Sequence, residues 1–175
     1  MNIHQIHDLS NSYVVDILKT GLSYITEAHL APNYSPNYAH VNSNLFYILE
    51  QGRYKQGAYY VIEENGEFIA SAGWNKYTDD TALALTRAFV SKPYRATYIM
   101  GEKLVPLMIE GAAKYDNFWI TCNEYNKAIY NWFYRTHQGK RAAMYNNWPE
   151  IYSRFEPIGQ KTVYNTEQYV VQLKK

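Results

Sequence analysis

Apolar residues change their spacing twice along this chain. In "LSNSYVVDILKTGLSYITEAHL" (9–30), Val14, Ile17, Leu18, Leu22 and Ile25 recur three or four positions apart. That period predicts a helix with one buried face, capped by Ser10 or Ser12. A short strand is expected before it, around Ile3 to Leu9, and "NSNLFYILEQG" (42–52) reads as a second short helix with Gly52 just past its end. The period then falls to two. "GAYYVIEENGEFIASAGWNKY" is a pair of strands around Glu64-Asn65-Gly66, because Asn-Gly is the strongest short hairpin signal. "DDTALALTRAFV" adds a third strand after an acidic turn at Asp79-Asp80.

The helical period returns in "IMGEKLVPLMIEGAAKY", where Pro106 conflicts with it. An interior proline removes a backbone bond and costs about 3 kcal/mol, so a kink or an irregular first half is expected. "NFWITCNE" (117–124) reads as a buried strand, and "NKAIYNWFYRTH" (126–137) as a helix followed by Gly139. "KTVYNTEQYVVQLKK" closes the chain as two alternating runs around Asn165-Thr166. The order is strand, two helices, three antiparallel strands, helix, strand, helix, two strands. It implies a single α+β domain over residues 1–175, with one mixed central sheet of about six to seven strands and about four helices.

Composition narrows the classes. The 175 residues are 47% hydrophobic and 19% charged, which suits a globular chain and argues against disorder. A net charge of +1 supplies no global field toward nucleic acid or an anionic membrane. Aromatics do mix with basic residues in "RYKQGAYY" and "YNWFYRTHQGKR", as on single-strand platforms, but packing accounts for them better. No segment has the order of a signal peptide or approaches ~20 apolar residues, so a cytoplasmic protein without membrane spans is expected. Cys122 is the sole cysteine and cannot form an internal disulfide. His4 and His7 are three apart with no further clustered ligands, so no metal is expected. The nineteen tyrosines read mostly as packing.

Two segments carry a resemblance. "LTRAFVSKPYR" is similar to the fourth strand, and the turn after it, of the GNAT N-acetyltransferase superfamily. Val90 ends the strand, Pro93 and Tyr94 sit in the turn, and Arg95 matches the residue opening the family's Q/R-x-x-G-x-G/A motif. "NFWITCNEYNKAIYNWF" resembles the fifth strand and the next helix. The resemblance implies that acetyl-CoA lies in a V between the fourth and fifth strands and that a primary amine attacks its thioester directly. Cys122 then need not react. It also implies that Phe89 and Val90 hold the pantetheine arm through backbone groups, joined by Asn123 or Asn126. The pyrophosphate would sit on the turn running from Arg95 through Ala96, Thr97, Tyr98 and Met100 to Gly101.

The first N–H groups of a helix have no partners within it and carry the positive end of its dipole, so such a turn binds phosphate without many cations. Yet the two small positions of the motif hold Tyr98 and Met100, with Gly101 one place late. Three explanations stand: Gly101 has taken over, the two side chains point away while their N–H groups still donate, or CoA binding is lost. The family's acid is often a Tyr four residues after an Ala; counting from Ala128 gives Trp132, leaving Tyr134 and then Tyr130 as candidates. Glu124 is the nearest acid for a base, and Arg87 either faces the acceptor side of the sheet or pairs with Asp79 or Asp80. In "KRAAMYNNWPEIYSRFEP" (140–157), Tyr145, Trp148 and Tyr152 either wall the acceptor site or pack on the sheet. The leading expectation is an acetyl-CoA-dependent N-acetyltransferase acting on a small-molecule or peptide amine, with a homodimer left open. The alternative is a non-catalytic protein of the same fold.

Overall fold

The structure, a computed structural model, describes residues 1–6, 10–29, 45, 47–50, 56–95, 97–124, 127–137 and 154–174. Strand β1 (Asn2–Gln5) leads into helix α1 (Ser12–His29), and residues 47–50 are again helical. The helix cap differs from expectation. The side chain of Asn11, not Ser10 or Ser12, accepts the Val14 N–H at 3.2 Å, while the Asn11 carbonyl accepts that of Val15 at 3.0 Å.

Strands β2 (Gly57–Glu64) and β3 (Glu67–Lys76) form the hairpin marked by Asn-Gly. Asn65 at φ 52° and Gly66 at φ 85° both take the left-handed conformation that a tight two-residue hairpin turn requires. β4 (Thr81–Val90) follows, then a 3₁₀ turn (Lys92–Tyr94), a π turn (Met100–Leu104) and helix α2 (Val105–Gly111). β5 (Asn117–Cys122), α3 (Lys127–His137), β6 (Phe155–Val163) and β7 (Thr166–Leu173) complete the chain.

The closing hairpin is shifted from the sequence reading. β6 begins at Phe155, inside the stretch read as a loop, and its turn is Tyr164-Asn165, both left-handed, one residue earlier than expected. Pro106 behaves as anticipated. The Val105 N–H reaches back five residues to the Met100 carbonyl, so the helix is wide before Pro106 and regular after it.

The seven strands form one sheet in the order β1-β2-β3-β4-β5-β7-β6, antiparallel except for β4 with β5. β2 and β3 are buried along almost their whole length on both faces, as strands covered by helices on each side must be. Val14, Ile17 and Leu18 of α1 pack on Tyr59, Val61 and Phe68 on one face. Val105 and Met108 of α2 and Phe133 of α3 pack on Tyr60, Ile62, Ala72 and Ala84 on the other.

Candidate functional site

β4 and β5 run together only briefly. Thr81–Leu83 pair with Asn117–Trp119, after which β5 pairs with β7 alone while β4 continues to Val90. The strands therefore leave a wedge, and among the described residues no strand lies alongside the backbone that β4 presents toward it. Two irregularities shape this stretch. Opposite β3, the register slips between Gly73 and Asn75 and again between Ser71 and Gly73, each time admitting one extra residue into β4. Leu85 at φ 51° and Arg87 at φ 50° absorb the two insertions in left-handed conformations. As a result Ala84 and Leu85 both face α2 and α3, while Thr86 and Arg87 both face the other side, next to Tyr47.

Leu85 opens onto a cavity of about 350 Å³ on the α2–α3 side of the wedge. Among the described residues, Met100 and Gly101 of the π turn, Val105, then Ala128, Ile129 and Phe133 of α3 and Phe155 of β6 also line it. None of these side chains ionises. The first turn of the helix meets this cavity. Tyr98 is left-handed at φ 59°, and its carbonyl accepts the Glu102 N–H at 2.9 Å. The N–H groups of residues 99–101 come before that bond, in the open first turn where the positive end of the dipole lies.

The anticipated site residues divide between places. Met100 and Gly101 line the cavity, and Tyr98 sets the backbone leading into it. Thr97 is exposed and its hydroxyl caps the Tyr94 carbonyl at 2.5 Å. Val90 packs toward the α2–α3 core, and its carbonyl accepts the Arg95 Nε at 3.1 Å. The Arg95 guanidinium lies over the Phe89 ring, 5.5 Å from its centroid. Phe89 and Arg95 thus face a different groove, of about 950 Å³, between α1 and the turn after β4. Asn123 is half-buried directly after β5. Ala96, Asn126, Tyr145, Trp148 and Tyr152 lie outside the described residues.

Tyr130 and Tyr134 stack on each other with centroids 6.3 Å apart, and Tyr130 also packs on Tyr169 of β7 at 5.2 Å. Neither is among the cavity's lining residues. Glu124 is exposed and pairs with Lys127 at 3.3 Å. Cys122 is buried, and that burial pushes its thiol up to about 11, so it is a poor nucleophile at neutral pH. Asp79 binds Lys76 at 2.5 Å, and Asp80 binds the hydroxyls of Thr78 and Thr81 at 2.5 and 2.9 Å.

The opposite face of β4 is polar and aromatic. The Arg87 guanidinium lies 3.9 Å from the centre of the Tyr47 ring. Burial first, then the Tyr164 phenol, raises the Tyr47 phenol above its ordinary range, while Arg87 pulls it down. Tyr164, at the tip of the β6–β7 hairpin, packs edge-on against Tyr77 with centroids 4.9 Å apart. The buried Tyr59 hydroxyl donates to the Arg87 carbonyl at 2.8 Å and lies 2.9 Å from the Ser71 hydroxyl. Sequence reasoning missed Leu85, Val105, Ile129, Phe133 and Phe155 as cavity residues. The one available signal was that Ala128, Ile129 and Phe133 recur at helical spacing on a single face.

Among the described residues no three His, Cys, Asp or Glu side chains are grouped to hold a metal ion, and no helix is long and apolar enough to cross a membrane.

No family model matches the chain, and no curated protein matches it by sequence. Solved acetyltransferases match its fold over the full length. An acetyltransferase from Streptococcus agalactiae 2603 gives a TM-score of 0.62 at 18% identity over 98% of each chain. An N-acetyltransferase from Staphylococcus aureus Mu50 gives 0.60 at 16% over 99% of each. The PaiA N-acetyltransferase from Thermoplasma acidophilum, solved in complex with coenzyme A, gives 0.56 at 8% over 100% of each. The chain has the GNAT acyl-CoA N-acyltransferase fold.

Proposed function

We propose that this protein transfers an acetyl group from acetyl-CoA to a primary amine. The observation that carries this reading is the wedge between β4 and β5, which opens on an apolar cavity ending at the first turn of a helix. The parts match the ligand's parts in order. Backbone along β4 from Leu85 to Val90 offers hydrogen bonds to the amides of a pantetheine arm, and Leu85, Val105 and Phe133 keep water from its reactive end. The N–H groups of residues 99–101 suit a pyrophosphate. Tyr98 supplies the left-handed turn usually left to glycine, and Gly101 lets the backbone reach the cavity wall.

What acetyl-CoA supplies is an acyl thioester. The amine forms the new C–N bond with the carbonyl carbon, the C–S bond breaks, and the thiol leaves with a proton. Among the described residues no side chain lining the cavity can give or take that proton, and this reading assigns its transfer to water. Tyr134→Phe and Tyr130→Phe should each keep the rate within about threefold, whereas loss of a general acid would lower it by about 10²–10⁴.

The same lining also fits a protein that binds CoA without turnover. Release of free thiol from acetyl-CoA in the presence of a panel of amines separates the two. Amine-dependent thiol release is the result expected of an enzyme. Its absence, in a sample that binds CoA, identifies the binding protein instead.

A further inference from the structure

We propose that the groove between α1 and the turn after β4 is a separate ligand site, and that it takes a free adenine nucleotide. This goes beyond the acetyl-transfer reading and does not depend on it. The groove measures about 950 Å³, at the upper end of the roughly 300–1,000 Å³ usual for small-molecule sites. It lies against Ile17, Phe68 and Phe89 on the α1 face of the sheet, whereas Leu85 and Val105 line the apolar cavity on the α2–α3 face. The two spaces are thus on opposite sides of the sheet.

Three parts of the groove match three parts of one ligand. The wall from the turn after β4 is cationic. Lys92 and Arg95 border the groove there, and among the described residues neither pairs with a carboxylate. The Arg95 Nε is tied to the Val90 carbonyl at 3.1 Å and its guanidinium lies over Phe89, which holds the charge at this wall. Two such cations suit a phosphate. The floor is aromatic: Phe68 and Phe89, with ring centroids 6.2 Å apart, give a flat ring an apolar bed beside Ile17. The remaining wall is acidic, with Asp16 of α1 and Glu67 at the start of β3. Among the described residues Glu67 has no ion-pair partner, and Asp16 has only Lys19 at 3.8 Å. Carboxylates there disfavour a ligand that is anionic throughout and accept from an exocyclic amino group. A phosphate, a flat ring and an amino edge are together the parts of AMP. IMP carries a carbonyl in place of that amino group and would set oxygen against carboxylate. Ser91 also lines the groove, and its buried Oγ lacks a hydrogen-bond partner among the described residues. A ribose hydroxyl met by rotation of that serine would satisfy it.

The test is equilibrium dialysis of labelled AMP, adenosine and IMP with the full chain. Two double variants accompany it, Lys92→Gln with Arg95→Gln and Asp16→Asn with Glu67→Gln, all at exposed positions that leave the core intact. Wild type should bind AMP at one saturable site, about tenfold or more tighter than adenosine or IMP. The first variant should lose the preference for AMP over adenosine, and the second the preference over IMP. AMP affinity should be unchanged in Ala128→Trp, which places an indole at the wedge cavity on the other face. Absence of AMP binding at millimolar concentration overturns the proposal, as does equal affinity for AMP and either analogue. Unchanged AMP affinity in the Lys92/Arg95 variant overturns it too. So does displacement of AMP by acetyl-CoA, which would make the groove the seat of that ligand's own adenosine end. AMP binding in a chain that shows none for acetyl-CoA supports the proposal, and the transfer reading alone then fails.

Discussion

Tyr98 performs a glycine's task without being one. The left-handed basin costs a non-glycine residue about 1 kcal/mol or more, because Cβ approaches the following carbonyl. Tyr98→Gly should therefore be more stable than Tyr98→Ala by about 1 kcal/mol in denaturant unfolding, since both lose the ring and only the backbone differs. Equal stabilities would mean that φ at this position is not left-handed in solution. Nothing in the sequence signals such a residue. Asn65-Gly66 announced its turn because those side chains favour it, whereas Tyr98, Leu85 and Arg87 are driven into the same basin by their surroundings.

Glu63 is equally silent in sequence. It is 1% exposed and accepts Asn2 Nδ2 at 2.6 Å, the Gly66 N–H at 2.9 Å, the Tyr13 hydroxyl at 3.2 Å and His4 at 3.3 Å. The Asn2 bond, then that of Gly66, holds its carboxyl down at about 2 against an ordinary 4.5, although burial opposes this. Because the folded value is depressed, its stabilisation is complete above pH 4.5 and is lost as pH falls toward about 2. Melting temperature measured across that window should fall more steeply in wild type than in Glu63→Gln. Parallel curves would show that the carboxylate does not carry this acid sensitivity.

At the scale of elements, α1 is set on the sheet by one close approach. A Cβ at Gly21 would lie 2.2 Å from Phe68 Cε2, so the helix can seat only where residue 21 has no side chain. Gly21→Ala should cost about 1–3 kcal/mol by overpacking, offset only partly by its higher helix propensity. In a Phe68→Leu background the same change should cost less than half as much, and an undiminished cost would mean the ring is not the obstacle. This helix, the β2–β3 hairpin and the disturbance at Pro106 were legible because each rests on local periodicity or local turn chemistry. The start of β6 was not. Proline and glycine disfavour strand interiors, and Pro157 and Gly159 are accommodated in β6 because it lies at the sheet edge, with a register shift between those two residues.

For the whole molecule, the order of elements was enough to imply an α+β domain with one central sheet, and the resemblance to the GNAT fold rested on that order together with the segments "LTRAFVSKPYR" and "NFWITCNEYNKAIYNWF". The site was legible only in outline. The turn after β4 was found, yet Phe89 and Arg95 lie on the α1 side of it, and the cavity wall comes from α3 and β6, remote in sequence. Its shape depends on where β5 leaves β4 and on two inserted residues, and these are consequences of pairing across the sheet.

The central claim is that the wedge takes acetyl-CoA, and calorimetric titration of acetyl-CoA into the full chain and into Ala128→Trp tests it most directly. Ala128 is exposed on its helix and borders the cavity, so tryptophan there can fill the space without disturbing the core. Wild type should show saturable one-site binding, with added stability of about 2.7 kcal/mol at a hundredfold excess over Kd. Ala128→Trp should bind at least about tenfold more weakly, a loss of about 1.4 kcal/mol. Absence of binding to folded wild type at millimolar acetyl-CoA, or equal affinity in the two proteins, would contradict the account.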